Sequence, residues 1–217
     1  MPDLGDVIDF WEGIGGGYWQ YSQETRLQRD SSVTTTVTGI SPVWRTRWSK
    51  TVTRSVAGGI CITLARRVIE GRMIPLDANR LWEHVKACFD IAKLQQATLS
   101  NEKDWYTAGG VEGKPCGGLF DRVSDENLVN RIVGSPGLYI YSMFESGLFG
   151  SGLFPNSGHA VAFDTRQSEF WFFDANSGLY QHTAASMPSI LAFIDLYWAA
   201  LGYKQEYSGG SRDLYKF

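Results

Sequence analysis

The sequence predicts an α+β fold in which helices come first along the chain and an antiparallel sheet follows. Three observations lead to this prediction. Apolar residues recur at helical spacing in the first half of the chain, at 64–69 and again at 81–92. Two apolar runs, 160–163 and 170–173, flank a polar segment in the pattern of a β-hairpin. Helical spacing then returns at 190–201, after the hairpin.

The length and composition predict one domain. The chain has 217 residues, of which 43% are hydrophobic, and this is enough to bury a sizeable core. We expect a single domain with four parts: an N-terminal segment without an assigned structure (1–55), a helical part (56–97), a loop insertion (98–122), and a mainly antiparallel sheet with a C-terminal helix (123–217).

The charge distribution excludes some partners. A net charge of −3 gives no signal for nucleic acid. Residues 21–72 hold nine Lys and Arg against three Asp and Glu, an excess we interpret as a solvated face rather than a docking surface for an acidic partner. No apolar run is long enough for a transmembrane segment, and the N-terminus lacks the pattern of a signal peptide. We therefore expect synthesis in a cytoplasm, with any export by a specialised route.

The cysteines favour a free thiol over a disulfide or metal site. There are three, an odd number, and none is in a CxxC pair. With only three histidines in the chain, we expect no metal and no cofactor. Cys88 lies within the apolar face of a predicted helix, and we interpret it as core. Cys116 lies in a glycine-rich loop and is interpreted as an exposed bystander, which leaves Cys61.

Among the polar groups in the first half of the chain, the Cys61 thiol is the best placed to act as a nucleophile. One or two strands are predicted within 31–55, and Gly58 and Gly59 then precede the apolar stripe at 64–69, so Cys61 falls in the first turn of a helix. Unpaired N–H groups and the helix dipole favour an anion at that position, and hence the thiolate.

The remaining elements follow from local patterns of apolar, polar and turn-forming residues. They are a helix capped by Asp77, a loop at Thr98–Leu119, a helix at Ser124–Ile132, a strand at Gly137–Phe144, a loop at 145–158, a turn at 175–178, a strand at Leu179–Thr183, a helix opened by Ser186 and Pro188, and an edge strand in the tail at 203–217.

The hairpin places a histidine opposite a carboxylate. If its loop is centred between Arg166 and Gln167, the pairing runs outward until His159 faces Asp174. Paired residues of antiparallel strands have their side chains on the same face, about 5 Å apart. An imidazole oriented by an acid is half of a catalytic arrangement, and its natural partner is a thiol or hydroxyl nucleophile.

Three blocks of sequence together resemble the YopT/AvrPphB family of cysteine proteases, a papain-like group found among bacterial effectors. The blocks are Gly58-Gly-Ile-Cys-Ile-Thr-Leu-Ala-Arg-Arg67, Gly158-His-Ala-Val-Ala-Phe163 and Phe172-Phe-Asp-Ala-Asn-Ser-Gly178. The resemblance implies a papain-like cysteine hydrolase, in which a helical part bearing the nucleophile packs on the antiparallel sheet.

The resemblance also implies a role for each residue. Cys61 would be the nucleophile, and His159 would be the general base and then the general acid. Asp174 would hold the imidazole tautomer and stabilise the imidazolium. One feature departs from the papain-like pattern, because no amide side chain precedes Cys61 closely. The oxyanion hole would then combine the Cys61 N–H with one of four side chains: Ser55, Thr53, Gln20 or Gln23.

For function, the resemblance implies an effector or toxin that is secreted by a bacterium and cleaves a peptide bond in a target-cell protein. An immunity protein or a chaperone would be its partner. The same three residues would equally serve a peptidoglycan amidase or endopeptidase, or a glutamine deamidase or transglutaminase. A third hypothesis is a catalytically silent binding module that uses the cleft as a docking groove.

Overall fold

The computed structural model describes residues 1–20, 114–115, 124–144, 158–166, 168–174, 176–210 and 212–217. The elements of these residues are, in chain order, α1 (Leu4–Gly13), β1 (Gly17–Gln20), β2 (Lys114–Pro115), α2 (Asp125–Gly134), β3 (Leu138–Phe144), β4 (Gly158–Asp164), β5 (Phe170–Asp174), β6 (Gly178–His182), α3 (Met187–Ala200), α4 (Tyr203–Glu206) and β7 (Arg212–Lys216).

The seven described strands form one sheet in the order β1-β6-β5-β4-β3-β7-β2, and every neighbouring pair is antiparallel. Helices packed on an antiparallel sheet confirm the α+β class. The chain order of the elements differs from the prediction, because β1 comes from the N-terminal segment and still joins the sheet at its border. The predicted loop at Thr98–Leu119 also contributes two residues to the sheet, as β2.

An aromatic core fills the space between the sheet and the helices. Phe172 of β5 lies edge-on to Phe193 and Tyr197 of α3, with ring centroids 5.5 and 4.8 Å apart. Trp11 of α1 contacts Phe193 at 4.3 Å, and all four of these side chains are fully buried. Removing one such side chain from water stabilises the fold by roughly 1.5–3 kcal/mol. The core therefore fixes how α3 lies across the sheet.

The first helix, α1, is not predicted by the sequence analysis. Asp3 caps it: its side chain accepts a hydrogen bond from the Asp6 N–H, and the Asp6 side chain accepts one from the Asp3 N–H. This reciprocal pair is a capping box. Val7 and Trp11, four residues apart, are the buried face. An acidic residue followed by another three positions later was the available signal.

Most predicted elements among the described residues are confirmed to within a few residues. The helix at Ser124–Ile132 is α2, capped by the Ser124 hydroxyl, and the strands on either side of the hairpin are β3 and β6. The helix opened by Ser186 and Pro188 is α3. The tail forms a strand, β7, but it pairs with both β3 and β2 and so does not lie at the edge. The predictions for 31–55, for the helix of Cys61 and for the helix capped by Asp77 lie outside the described residues.

The hairpin of β4 and β5 forms as predicted, but the predicted register is wrong by two residues. Asp174 pairs with Val161, and the pairing ends at Asp164 with Trp171. The loop is wider than the sequence suggests: the Asp164 carboxylate accepts hydrogen bonds from the Arg166 N–H and guanidinium, and Ser168 adopts a φ of 60°. A shift of two residues preserves the face of each side chain.

Candidate active site

Two of the three residues predicted for the site lie in direct contact. His159 is the second residue of β4, and Asp174 is the last residue of β5. Because Asp174 pairs with Val161, His159 is its diagonal neighbour on the same face of the sheet, within reach of its side chain. His159 Nε2 lies 2.8 Å from Asp174 Oδ1, and the two side chains are 1% and 0% exposed. The sheet thus holds an imidazole against a carboxylate away from solvent.

The Asp174 carboxylate accepts four hydrogen bonds. Oδ1 receives His159 Nε2 at 2.8 Å and the Asn176 N–H at 2.7 Å. Oδ2 receives the Tyr197 hydroxyl at 2.7 Å and the Tyr203 hydroxyl at 3.0 Å. An ionised carboxylate offers about four acceptor positions, so this one is saturated.

Two glycines in left-handed or extended positive-φ conformations bring the donors to Asp174. Gly178 has a φ of 148° and closes the tight turn after β5, which returns the Asn176 N–H to the carboxylate. Gly202 has a φ of 73° and reverses the chain between α3 and α4, which places Tyr203 near Tyr197. Residues other than glycine rarely adopt such values, so both turns require glycine.

A second layer of hydrogen bonds orients the two tyrosines. Tyr197 OH and Ser177 Oγ are hydrogen-bonded, and because the Tyr197 proton is already donated to Asp174, Ser177 is the donor. Asn176 Nδ2 donates to Tyr203 OH at 2.8 Å. The Tyr180 hydroxyl in turn donates weakly to Ser177 Oγ, at 3.5 Å. The hydroxyls of Tyr197, Tyr203 and Ser177 each both donate and accept, and every donor chain ends at Asp174.

The surroundings of Asp174 keep it ionised. Burial alone would raise the pKa of this carboxyl, but the charge of His159 and the hydrogen bonds from His159, Asn176 and Tyr197 outweigh burial and lower the pKa. Burial raises the pKa of Tyr197 and Tyr203 well above the usual range, and the charge of Asp174 raises both further. The two phenols therefore stay protonated and donate to the carboxylate at neutral pH.

The hydrogen bond to Asp174 determines which ring nitrogen of His159 can act as a base. An ionised carboxylate only accepts hydrogen bonds, so Nε2 carries the proton of the neutral ring. The free lone pair is then on Nδ1, which is buried and has no hydrogen-bond partner among the residues that the structure describes. An unsatisfied buried polar atom costs about 1–3 kcal/mol. Such an atom in an otherwise saturated network is suited to accept a proton from a reacting group.

The third predicted residue, Cys61, lies outside the described residues, and so do Ser55, Thr53 and Gln23, three of the four candidates for the oxyanion hole. Gln20, the fourth, is the last residue of β1 and pairs with Gly178, which in turn pairs with Asp174. Gln20 is exposed and lies at the same end of the sheet as Asp174, two strands away.

Sequence reasoning missed the tyrosines. The helical pattern at 190–201 includes Tyr197 as one position of its apolar face, and Tyr203 falls in the predicted tail. A buried tyrosine usually needs a partner for its hydroxyl, so a tyrosine in the middle of an apolar helical face was the available signal.

The described part of the chain offers no alternative site of metal chemistry. Within it, no three His, Cys, Asp or Glu side chains are grouped closely enough to hold a metal ion. Among the helices of the described ranges, none is long and apolar enough to cross a membrane.

Fold and site together define an α+β protein with a buried carboxylate–imidazole pair at one end of an antiparallel sheet. No family model matches the sequence, and no curated protein matches it at a significant level. A solved structure, that of the Pseudomonas avirulence protein AvrPphB, is similar to this chain at 18% sequence identity and a TM-score of 0.44. The matched region covers 74% of this chain and 90% of the AvrPphB chain.

Proposed function

We propose that this protein is a thiol hydrolase in which Cys61 is the nucleophile, His159 the general base and acid, and Asp174 the group that orients the imidazole. The observation that carries the proposal is the state of His159. Nε2 is held by an ionised carboxylate at 2.8 Å, while the lone pair of Nδ1 is without a partner among the described residues. Cysteine nucleophiles need a base of this kind, itself oriented by a third group.

The reaction would proceed through an acyl-enzyme. His159 Nδ1 takes the proton of the Cys61 thiol, and the thiolate forms a bond to the carbonyl carbon of the substrate. Nδ1–H then gives its proton to the leaving amine as the carbon–nitrogen bond breaks, which leaves a thioester. Nδ1 next removes a proton from a water molecule that attacks the thioester. The carbon–sulfur bond then breaks, Nδ1–H returns its proton to the sulfur, and the carboxylic acid leaves.

Asp174 has two functions in this sequence of steps. It holds the proton on Nε2, so that Nδ1 is the basic atom at the start of each cycle, and its negative charge stabilises the imidazolium that forms. Because the charge of His159 and the hydrogen bonds from His159, Asn176 and Tyr197 lower the pKa of this carboxyl, Asp174 does not itself take up the proton.

For the substrate, we propose a peptide bond in a protein of another cell, reached by a specialised bacterial secretion route, with an immunity protein or a chaperone as partner. The support is the ordered resemblance of the Cys61, His159 and Asp174 blocks to papain-like effector proteases. The alternatives are outcomes of the test below: release from sacculi alone would indicate a peptidoglycan amidase or endopeptidase. Neither new termini nor release with the parent protein would indicate a glutamine deamidase or transglutaminase, or a silent binding module.

Two assays on matched cysteine variants test the proposal. Cys61→Ala is compared with Cys88→Ala and Cys116→Ala, first by proteomic mapping of new protein termini in target-cell extract. The second assay measures release of peptides from purified sacculi. We expect new termini with the parent, Cys88→Ala and Cys116→Ala proteins, and none with Cys61→Ala. Termini that persist with Cys61→Ala would contradict the mechanism. Release from sacculi alone would contradict the substrate.

A further inference from the structure

We propose that Tyr197 and Tyr203 are positioning residues for the reaction, which hold Asp174 charged and aimed at His159 through their paired hydrogen bonds to Oδ2. This inference rests on the proposed function, because it assigns to two phenols the task of tuning the group that orients the general base. Neither tyrosine contacts the reacting atoms, and both act through Asp174.

The hydrogen bonds of the Asp174 carboxylate fix its orientation. Its two oxygens have separate sets of donors: His159 and the Asn176 N–H on Oδ1, and the two phenols on Oδ2. A rotation of the carboxylate would break the bonds on both sides. The phenols are held rigidly, since Tyr197 lies in the last turn of the 14-residue helix α3 and both rings are buried in the aromatic core.

The hydrogen bonds around Asp174 all donate toward its carboxylate. Ser177 and Asn176 donate to the two phenols, so the hydroxyl hydrogens of Tyr197 and Tyr203 have no position as favourable as the carboxylate. Hydrogen bonds donated to an ionised group are stronger than neutral ones, and a chain of donors polarises each member. The Asp174 charge is thus shared among all its donors, and its basicity toward the Nε2 proton is reduced.

Tyr203 also contacts the imidazole of His159. The ring of Tyr203 lies 5.0 Å from that of His159, centroid to centroid, so Tyr203 also packs against the group that Asp174 orients. Four titratable groups surround Asp174, each from a different element. Three bond it directly, His159 from β4, Tyr197 from α3 and Tyr203 from α4, and Tyr180 from β6 is linked to it through Ser177. Removing either phenolic hydroxyl would leave a carboxylate that is more basic and freer to rotate.

The test uses Tyr197→Phe and Tyr203→Phe, with Tyr18→Phe as the matched control. Tyr18 is a partly buried tyrosine on the same face of the sheet. Its hydroxyl donates to the Ser177 carbonyl oxygen at 2.9 Å, and its ring packs on Tyr180, but it makes no bond to Asp174. All three variants delete one hydrogen-bonded hydroxyl and keep the aromatic ring. If Tyr197→Phe folds poorly, the double variant Tyr197→Phe/Ser177→Ala replaces it. The second substitution removes the Ser177 hydroxyl, which would otherwise have lost its acceptor.

The first readout is kinetic. We expect kcat to fall about 10-fold or more in Tyr197→Phe and Tyr203→Phe with KM nearly unchanged, since a hydrogen bond to a charged group is worth roughly one order of magnitude or more in rate. Tyr18→Phe should retain the parent kcat within about twofold. Equal kcat values in all three variants would overturn the proposal.

The second readout does not need activity. In the Cys61→Ala background, proton NMR observes the Nε2-bound hydrogen of His159, which is identified by its loss in His159→Gln. We expect this resonance to move downfield in Tyr197→Phe and Tyr203→Phe, because a more basic Oδ1 draws the proton closer, and to stay in place in Tyr18→Phe. An unchanged resonance in both site variants would overturn the proposal.

The two readouts separate the inference from the proposed function. If the resonance moves as expected but Cys61→Ala keeps full hydrolase activity, the proposed nucleophile is wrong and the role of the phenols at Asp174 stands. If Cys61→Ala is inactive but the tyrosine variants behave like Tyr18→Phe, the proposed function stands and the inference fails.

Discussion

Two histidines lie at opposite ends of the same sheet, and they differ in how their ring nitrogens are used. His182, at the end of β6, has both nitrogens bonded to the backbone: Nε2 to the Ile14 carbonyl oxygen at 2.9 Å, and Nδ1 to the Ala184 N–H at 3.0 Å. His159 bonds a carboxylate through Nε2, and its Nδ1 has no partner in the described structure. One ring ties α1 to the sheet. The other keeps a lone pair without a partner among the described residues.

The comparison shows what separates the histidine that we propose as the general base from the one that only links two elements. Both rings lie against aromatic side chains: His182 contacts Trp11 at 5.5 Å, and His159 contacts Tyr203 at 5.0 Å. Aromatic packing therefore does not distinguish them. The ionised carboxylate and the unused nitrogen do, since together they fix a tautomer and leave a base.

The largest expected effect comes from removing the imidazole of His159. We expect His159→Ala to lower kcat/KM about 10²–10⁴-fold, the usual contribution of a positioned general acid–base group. The matched variant at the other end of the sheet, His182→Ala, should keep kcat/KM within a few-fold of the parent. Steady-state kinetics on the cleaved protein or a derived peptide provides the measurement. Similar losses in both variants would remove the distinction between the two rings.

The next effect comes from Asp174→Asn, which keeps the shape of the side chain and removes its charge. The amide cannot select the Nε2–H tautomer as the carboxylate does, so the basic lone pair is no longer confined to Nδ1. We expect a loss of about 10²-fold or more in kcat, as for the loss of an orienting acid in other triads. A variant with parent activity would show that the buried pair is structural only.

The sequence predicts the local features of the fold and site better than the contacts between residues far apart in the chain. The two apolar runs predict the hairpin, and pairing across its loop puts His159 and Asp174 on one face, because a strand has a period of two. This pattern could not fix the register, since a shift by two residues leaves every face unchanged. The turn at Asp164 and Ser168 sets the register, and its backbone geometry is not encoded by hydrophobic periodicity.

The tyrosines illustrate the limit more clearly. Tyr197 and Tyr203 lie 23 and 29 positions after Asp174. Their convergence on one oxygen depends on how α3 packs across the sheet and on the chain reversal at Gly202. Helical spacing identifies Tyr197 as a buried residue of α3, but gives no information about which polar group its hydroxyl meets.

A third prediction concerns stability in acid. The pKa of Asp174 is lower in the folded protein than the usual value of about 4 in an unfolded chain. Its contribution to stability is therefore complete above about pH 4 and is lost as the pH falls through the folded-state pKa. We expect the free energy of unfolding to fall more steeply below about pH 4 in the parent than in Asp174→Asn, as measured by urea denaturation.

Asp213 provides a control of opposite sign. Burial raises the pKa of this carboxyl, so its ionisation in the folded protein opposes stability as the pH rises. Asp213→Asn should then gain stability relative to the parent between about pH 4 and neutrality. A common pH dependence for Asp174→Asn and Asp213→Asn would contradict the assignment of a lowered pKa to Asp174.

The smallest effect is expected at His182. His182→Gln can replace one of the two backbone hydrogen bonds but not both, so we expect a loss of about 1 kcal/mol in the free energy of unfolding. Activity should stay close to that of the parent, because the ring lies at the end of the sheet away from Asp174. Thermal and urea unfolding give the measurement, and a large loss of kcat at unchanged stability would contradict a purely structural role.

The most direct test of the central claim is the rate at which iodoacetamide alkylates Cys61, measured against pH in the parent, His159→Ala and His182→Ala proteins. Mass spectrometry of the Cys61 peptide separates this thiol from those of Cys88 and Cys116. If His159 Nδ1 is the base for Cys61, the parent and His182→Ala proteins will react rapidly well below the pH at which a free thiol ionises, and His159→Ala will react only near that higher pH. Identical pH profiles for all three proteins would contradict the claim.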